Sequence, residues 1–215
     1  ADKTPAGPDK DLHKGKLLPQ KLKITYYYLA QEKEYAAGPP NAAIMDSACK
    51  AIATVSKKFY DALCIEGSGR LKDGRVVNYW TPCTCAEQCA YGSKTCYKAL
   101  DAKKYPWGLG AASNALKPLR SWAVDKSIIP LGTLLYAPAW DGIKLPTVDG
   151  LGGWTHDGCF RADDVGGGIN GYHYDFFAGT RAMYKALEKV GSGQFQTHKT
   201  FSVYRDPGRC AHLKP

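Results

Sequence analysis

The chain has 215 residues, of which 44% are hydrophobic and 23% are charged; this composition excludes a disordered, collagenous or coiled-coil protein and fits one domain, or one domain with a large insertion. It carries 29 Lys and Arg against 20 Asp and Glu, a formal net charge of +9, and it contains 8 Cys. An even cysteine count this high is typical of an oxidising compartment, so we expect a secreted or periplasmic (cell-envelope) protein in its mature form, its export signal removed. No apolar run approaches the roughly 20 residues of a membrane span.

The positive charge is concentrated at the N-terminus, where six lysines lie within the first 23 residues. The other basic residues are scattered, without the interleaved Arg and aromatic residues of nucleic-acid-binding surfaces, so we expect no nucleic-acid partner. Net positive charge favours an acidic polymer or lipid surface, and a solvated basic tail that aids solubility is the alternative. Residues 1–20, which are rich in proline and charge, are predicted to form an extended arm.

Three features follow in the first half of the chain. Residues 22–29 are β-branched and aromatic, which predicts a strand. Apolar residues then recur at helical spacing from about 42 to 64, which predicts a helix capped by Asn41. A Gly-rich turn, a short strand over 75–79 and a group of cysteines follow within 65–106.

The cysteines divide into a cluster and four outliers. The cluster is Cys83, Cys85, Cys89 and Cys96, and the outliers are Cys49, Cys64, Cys159 and Cys210. Closely spaced thiolates can hold zinc, but this cluster has no CxxC pair and no histidine nearby. We therefore expect disulfides and no metal, with a connectivity that the sequence leaves open.

The second half contains short segments broken by Pro and Gly. Strands are predicted over 119–124, 134–137, 158–162 and 200–204, and an amphipathic helix is predicted over 179–190. Strands separated by glycine-bearing turns at this density favour a small barrel.

The segment from 161 to 175 combines paired aspartates, three glycines and a further aspartate. Consecutive strand side chains point to opposite faces, so Asp163 and Asp164 cannot both face one cleft. Glycines 166–168 can take positive φ and let a ligand approach the backbone. A tight turn capped by aspartates explains the same pattern, and spacing alone does not separate the two.

Three motifs identify a resemblance. They are SWAVDKSIIPLGT over 121–133, ADDVGGGING over 162–171 and YDFF over 174–177. Together they resemble the 3D domain, named for three aspartates, of the MltA-like lytic transglycosylase family and related cell-wall proteins. The resemblance covers roughly 107–205 and supplies the three aspartates as Asp125, Asp164 and Asp175.

The resemblance implies a double-psi β-barrel, so we expect a mainly β fold with some α structure and a six-stranded barrel. It says little about residues 38–106, where the cysteines and the Gly-rich turn predict a small disulfide-rich α/β insertion. Residues 21–37 and 107–215 would form the barrel, and 38–106 would form an inserted cysteine-rich subdomain that makes one wall of a groove.

The resemblance also implies a reaction in which Asp164 is the single acid and base. It would protonate the glycosidic oxygen between N-acetylmuramic acid and N-acetylglucosamine, then take the proton of the muramic C6 hydroxyl, giving a 1,6-anhydro product without a cofactor. To act as an acid near neutral pH, Asp164 needs a pKa well above about 3.9. Burial or a neighbouring carboxylate, which could be Asp163, Asp175 or Asp125, would raise this pKa. Arg161 on the same face would oppose the shift. The alternative for Asp125 and Asp175 is a structural role in accepting backbone N–H bonds.

Aromatic residues are the usual platforms for sugar rings, although each could equally belong to the core. The aromatic candidates are Tyr26, Tyr28, Trp107, Trp154, Tyr172 and Tyr174, and the other substrate-binding candidates in the motif are Gly167, Gly168, Asn170 and His173. His173 could instead pack, and His156 with Asp157 is expected to serve turn chemistry and not a metal.

These observations favour an exported, monomeric enzyme that acts on peptidoglycan or another polysaccharide. Two alternatives stay open: an expansin-like module that binds the wall without catalysis, and a polysaccharide hydrolase of lysozyme or endoglucanase type that uses two carboxylates. Glu32 or Glu34, which follow the first strand, would supply the second carboxylate if either faced Asp164.

Overall fold

The computed structural model describes residues 15–35 and 38–214, so the predicted arm over 1–20 lies mostly outside it. The first half contains β1 Lys16–Leu17, β2 Leu22–Tyr28, β3 Ala30–Gln31, β4 Pro40–Met45, β5 Ala51–Ser56, α1 Lys57–Glu66, β6 Ser68–Arg70, β7 Val76–Pro82 and β8 Thr95–Leu100. The second half contains β9 Ser121–Val124, β10 Leu134–Lys144, β11 Thr147–Val148, β12 Leu151–Gly152, β13 Thr155–Asp164, β14 His173–Gly179, α2 Arg181–Leu187, β15 Thr200–Phe201 and β16 Tyr204–Arg205. Short 3-10 turns cover Glu32–Tyr35, Val190–Gly193 and Gly208–Leu213.

The larger sheet has eight strands in the order β1-β16-β10-β13-β9-β14-β2-β15. The pairs β13–β9 and β14–β2 are parallel, and the others are antiparallel. Its core is aromatic: the Trp122 ring stacks on Phe160 and Tyr174 at centroid distances of 4.2 and 3.9 Å. Offset stacking of this kind adds to the free energy gained by burying the rings, so the core holds the neighbouring strands in fixed register.

The inserted region has its own sheet and core. Strands β3, β6, β7 and β8 form a four-stranded sheet, β4 and β5 form a hairpin, and α1 packs against them. Phe59, Tyr60 and Tyr97 are almost fully buried at its centre.

Three disulfides support the fold, as the cysteine count predicts. Cys49–Cys85 and Cys83–Cys96 lie within the inserted region, and Cys159–Cys210 ties β13 to the C-terminal turn. Each bond restricts the unfolded chain, which stabilises the folded state.

The predicted helix over 42–64 is wrong for most of its length. Residues 40–56 form the β4–β5 hairpin, and the helix begins only at Lys57 with Ser56, not Asn41, as its cap. The Asp46 side chain accepts the backbone N–H groups of Ala48 and Lys50 at 2.9 Å each, which fixes the hairpin turn. Alternating apolar residues in this alanine-rich segment suit a strand as well as a helix, so its spacing was ambiguous.

The other predicted elements match more closely. The strands predicted over 119–124, 134–137 and 158–162 overlap β9, β10 and β13, and the strand over 200–204 is divided into β15 and β16. The helix predicted over 179–190 is α2, which ends at Leu187.

A small apolar cluster joins the two regions. The larger sheet contributes Tyr27, Ala123 and Phe177. They pack with Val76 of β7 and with Leu116 of the loop that precedes β9. These sheet residues alternate with residues of the aromatic core, so the larger sheet buries one face in that core and turns the other toward the inserted region.

Candidate active site

Two of the three motif aspartates lie in one row across the sheet face that meets the inserted region. Asp164 of β13 is in register with Ala123 of β9, Ala123 with Asp175 of β14, and Asp175 with Thr25 of β2. Directly paired residues share a face, and two strand spacings separate the backbones of the two aspartates by about 10 Å. Because Ala123 contributes only a methyl group, no long side chain of β9 stands between the two carboxyl groups.

The Asp164 carboxylate is held by three donors. Oδ1 accepts the backbone N–H groups of Ala111 at 3.0 Å and Val165 at 2.9 Å, and Oδ2 accepts the Tyr27 hydroxyl at 3.2 Å. Burial raises the pKa of Asp164 to about 6, although these three hydrogen bonds oppose the rise. The raised pKa agrees with the expectation for Asp164, while the two backbone donors are the arrangement expected of a structural aspartate.

Asp175 is less tightly held. Within the residues that the structure describes, its one hydrogen bond comes from the Thr25 hydroxyl to Oδ1 at 2.7 Å. Burial raises the pKa of Asp175 to about 7; the Thr25 bond opposes this rise and the negative charge of Asp164 adds to it. The backbone N–H bonds expected of a structural Asp175 are therefore not among its contacts in the described part of the chain.

His173 extends this network along the same face of β14, two residues before Asp175. Its Nε2 lies 2.8 Å from Thr25 Oγ1, and the residue is 7% exposed. Burial lowers the pKa of His173 to about 4, so the imidazole is neutral near pH 7. A neutral ring with its proton on Nε2 donates to Thr25 while Thr25 donates to Asp175, so Thr25 links the two side chains.

The other two aspartates have different surroundings. A bulge in β13 sets Asp163 out of register with β9; it is 2% exposed, accepts the Ser121 hydroxyl and pairs with Arg161 at 3.1 Å. Arg161 is therefore directed to Asp163 and not to Asp164, and Asp163 borders a cavity of about 170 Å³ with Asn114 and Lys117. Strand alternation predicted this separation of the paired aspartates.

Asp125 has the expected structural role. Its carboxylate accepts the Ser127 hydroxyl and backbone N–H at 2.6 and 2.9 Å, and the backbone N–H of Gly171 at 2.8 Å. These bonds lower the pKa of Asp125. It thereby joins the end of β9 to the glycine-rich loop.

A third carboxyl group, Glu66, reaches this region from the inserted sheet and helix. Oε2 accepts the backbone N–H of Tyr28 at 2.9 Å. Burial raises the pKa of Glu66 to about 8, and the charge of Asp175 raises it further. The sequence motifs miss Glu66; the one signal was a glutamate in the last turn of a helix, where the helix dipole disfavours negative charge.

Most of the aromatic residues predicted to bind sugar rings do not lie beside the aspartate row. Tyr174 is fully buried in the aromatic core, Trp154 and Tyr172 pack against that core, and the Tyr26 hydroxyl donates to the Phe195 carbonyl at 2.7 Å. Tyr28 is 9% exposed and its hydroxyl lies 3.1 Å from that of Tyr35. Trp107, by contrast, packs in the cluster that also contains Tyr27 and Ala123, beside the aspartate row.

The glycine-rich loop leads directly out of β13 after Asp164. Gly167, Gly168 and Asn170 are exposed, and added Cβ atoms at the two glycines would meet nothing within 4 Å. The positive φ expected over 166–168 occurs instead at Gly171, where φ is 67°. The loop is therefore open to solvent beside Asp164.

Within the described residues, the remaining candidates form neither a metal site nor a second carboxylate partner for Asp164. His156 is fully buried, its Nδ1 accepts the Gly158 N–H at 2.9 Å, and burial lowers its pKa to about 4. Two groups of side chains are close enough to share an ion, but their cysteine sulfurs are all in disulfides and offer no thiolate. Neither Glu32, whose Oε2 accepts the Lys72 N–H at 2.7 Å, nor Glu34 contacts Asp164 within the described residues.

Comparison with known proteins agrees with these motifs. The family model of the 3D domain matches residues 120–198. E. coli MltA with bound chitohexaose has a similar structure, with a TM-score of 0.54 at 17% identity over 85% of this chain and 70% of that one. The membrane-bound lytic murein transglycosylase from Agrobacterium tumefaciens has a TM-score of 0.50 at 15% identity over 94% of this chain and 70% of that one.

At these identities the likeness shows the fold, which is mainly β with some α structure. No curated protein matches the chain by sequence. Among the described helices, none is long and apolar enough to cross a membrane.

Proposed function

Because the chain carries a 3D domain in an MltA-like fold, we propose that it is an exported lytic transglycosylase that cleaves the bond between N-acetylmuramic acid and N-acetylglucosamine in peptidoglycan. The observation that carries the proposal is the pair of carboxyl groups with raised pKa values, Asp164 and Asp175, in one row on one sheet face. Such a pair of perturbed acids is typical of glycosidic chemistry.

We assign the proton transfers to Asp175 and a supporting role to Asp164, the reverse of the roles expected from the sequence. With a pKa of about 7, Asp175 is protonated in about half of the molecules at pH 7 and in most of them below it, and its Oδ2 has no donor bound within the described residues. Asp164, with a pKa of about 6 and two backbone donors, is mostly ionised at that pH. Its negative charge favours the protonated form of Asp175 and stabilises positive charge on the cleaved sugar ring.

The reaction then needs one carboxyl group for both proton transfers. Asp175 gives its proton to the glycosidic oxygen, and the bond from that oxygen to C1 of the muramic residue breaks. The resulting Asp175 carboxylate takes the proton of the C6 hydroxyl, and the C6 oxygen forms a bond to C1. The products are a 1,6-anhydro sugar and a free 4-hydroxyl group, and Asp175 is again protonated.

The two carboxyl groups also favour a second candidate, hydrolysis with water. A carboxylate pair at suitable separation activates water in inverting glycosidases. The backbone donors on Asp164 Oδ1 weaken it as a base, so we rank this candidate below transglycosylation. A non-catalytic wall-binding module would not need two buried acids on its groove face.

Several coarser features support the proposal. The three disulfides fit an exported protein, and the net charge of +9 suits a polyanionic wall. The parallel pairs β13–β9 and β14–β2 fit a double-psi barrel for the larger sheet. The inserted subdomain at 38–106 would form the opposite wall of the groove, because its residues pack beside the aspartate row.

The test is digestion of purified sacculi with analysis of the products by mass spectrometry. Wild type should release 1,6-anhydro muropeptides, and Asp175→Asn should lower the rate at least about 100-fold, the usual contribution of acid–base catalysis. Asp206→Asn, at an exposed position, is the matched control. Products with reducing ends that take up ¹⁸O from labelled water would establish hydrolysis instead, and binding without any product would refute both enzymatic functions.

A further inference from the structure

Glu66 contacts β2, the strand whose Thr25 and Tyr27 hydroxyls hydrogen-bond to the two aspartates. It is the last residue of α1, and its Oε2 accepts the N–H of Tyr28, the last residue of β2. The same strand supplies the Thr25 hydroxyl to Asp175 and the Tyr27 hydroxyl to Asp164. One hydrogen bond therefore connects the inserted subdomain to the strand whose hydroxyls fix the catalytic pair.

The pKa of the Glu66 carboxyl group also depends on the charges of neighbouring groups. Tyr28 of β2, Tyr35 of the following 3-10 turn, Asp175 of β14 and Arg181 of α2 are the titratable groups around it. The Tyr28 N–H and Arg181 favour the ionised form, whereas burial and the charge of Asp175 oppose it. Glu66 and Asp175 thus compete for protons, and their titrations are coupled.

We propose that Glu66 is a positioning residue through which the inserted subdomain aligns β2 and so holds Asp175 and Asp164 in place. This inference rests on the proposed function for its catalytic readout. Within the described residues Glu66 accepts the backbone N–H of β2 and makes no hydrogen bond to Asp175 or Asp164. Asp175, with a pKa of about 7, ionises before Glu66, with a pKa of about 8, so the charge effect runs from Asp175 to Glu66.

Two variants separate alignment from charge. Glu66→Gln keeps an oxygen that accepts the Tyr28 N–H but cannot ionise, and Glu66→Ala removes both properties. The glutamine variant should retain wild-type kcat within about threefold and an alkaline limb close to that of wild type, because Glu66 is mostly protonated over the pH range in which Asp175 titrates. The alanine variant should lose about tenfold or more in kcat with little change in KM, because misaligned acids slow the chemical step.

Glu34→Gln is the matched control, because Glu34 is also near Arg181 but makes no hydrogen bond to β2 among the described residues. It should leave the pH profile unchanged. The proposal is overturned if Glu66→Ala keeps the wild-type kcat, or if Glu66→Gln loses as much kcat as Glu66→Ala, which would make Glu66 a titrating catalytic group.

A readout without substrate keeps this test separate from the proposed function. Titration of the ¹³C-labelled Glu66 carboxyl by NMR should give a lower apparent pKa in Asp175→Asn than in wild type, whether or not sacculi are cleaved, because the charge of Asp175 raises the pKa of Glu66. An unchanged Glu66 titration would refute the coupling. Absence of cleavage by wild type, with the NMR shift intact, would refute the enzyme alone.

A separate observation concerns the last two cysteines. All eight cysteines lie in the described residues, and Cys64 and Cys89 are the two outside the three disulfides. Both lie in the same apolar cluster, where Cys64 Sγ accepts the Tyr97 hydroxyl at 3.5 Å and Cys89 Sγ lies 2.8 Å from Ser93 Oγ. Burial opposes ionisation of Cys89, yet its neighbours Cys64 and Ser93 and backbone N–H groups leave its pKa below the usual value.

We infer that Cys64 and Cys89 close a fourth disulfide when the protein meets a disulfide oxidant such as oxidised glutathione. The Cys89 thiolate attacks one sulfur of the oxidant, forming a mixed disulfide and releasing one thiol. Cys64 then gives its proton to the leaving sulfur and attacks Cys89, releasing the second thiol. Two protein thiols are oxidised and one oxidant disulfide is reduced, and α1 becomes tied to the loop before β8.

The test is alkylation of the denatured, non-reduced protein after incubation with oxidised glutathione, followed by mass spectrometry of its peptides. We expect no alkylated cysteine and a cross-linked pair of peptides containing Cys64 and Cys89. Two alkylated cysteines at these positions would overturn the inference. A Cys64→Ser, Cys89→Ser double variant should show the same result before and after oxidation, and its other three disulfides should be intact.

Discussion

Replacing Thr25 by valine removes a single hydroxyl group next to Asp175 and leaves the side-chain shape almost unchanged. The lost bond is the 2.7 Å contact to Asp175 Oδ1. Hydrogen bonds to charged groups are worth about 1.5–3 kcal/mol, and one pKa unit corresponds to about 1.4 kcal/mol, so the pKa of Asp175 should rise by about 1–2 units. The direction is upward because the lost bond stabilised the ionised carboxylate.

The assay is the pH dependence of muropeptide release. An acid that must be protonated sets the alkaline limb, so Thr25→Val should move that limb from near 7 to higher pH by about 1–2 units. At pH 6, kcat should fall at least about tenfold, because Asp175 and the buried His173 both lose a partner and the carboxyl group becomes mobile.

Thr25→Ser keeps the hydroxyl and is the matched control; it should retain the wild-type profile. An alkaline limb that stays in place or moves to lower pH in Thr25→Val would refute the assignment of Asp175 as the proton donor. A melting temperature measured for each variant separates this effect from unfolding.

Three further predictions test the charges and the packing of the site. Asp164→Asn removes the negative neighbour of Asp175, so the alkaline limb should move to lower pH and kcat should fall by about tenfold or more; a shift to higher pH would contradict the pairing. Both aspartates have folded-state pKa values of about 6 and 7, above the unfolded value of about 3.9, so their stabilising contribution is complete below pH 4 and is lost as pH rises through 6 and 7. Between pH 5 and pH 8 this loss is about 3 pKa units, or about 4 kcal/mol, so the melting temperature should fall by about 10 °C, and the Asp164→Asn, Asp175→Asn double variant should show a smaller fall by calorimetry. Gly110→Ala would place a Cβ 2.4 Å from the Asp163 carbonyl and displace the adjoining loop, whereas Gly167→Ala meets nothing within 4 Å; activity should drop about tenfold in the first and stay near wild type in the second, and equal activities would show that the loop is not needed.

The strands and their order were only partly accessible to sequence reasoning. Alternating and aromatic segments predicted β2, β9 and β13 because their side chains repeat with the period of a pleated strand. The β4–β5 hairpin was missed because alanine-rich apolar spacing fits two periods, and the decisive turn depends on hydrogen bonds from the Asp46 side chain. Local composition does not predict such a hydrogen bond, because the bond forms only when the turn forms.

The motif identified the three aspartates, but the difference in their protonation arises from contacts distant in sequence. Asp164 receives the N–H of Ala111, whose loop lies 53 residues earlier, and Asp175 receives the hydroxyl of Thr25, 150 residues earlier. The strand register brings Thr25 to Asp175, and the loop before β9 brings Ala111 to Asp164. Residue type therefore indicates which groups can carry a proton, and register decides which of them does.

The same reasoning explains why Glu66 could not be found from the motif. It belongs to the inserted region, and its link to the site is a backbone N–H of β2, which every residue except proline could provide. A glutamate at a helix end opposes the helix dipole, so its place there needs a compensating contact. That contact connects the inserted subdomain to β2, whose Thr25 and Tyr27 hydroxyls donate to Asp175 and Asp164, and it is the basis of the proposal that the insertion aligns the two acids.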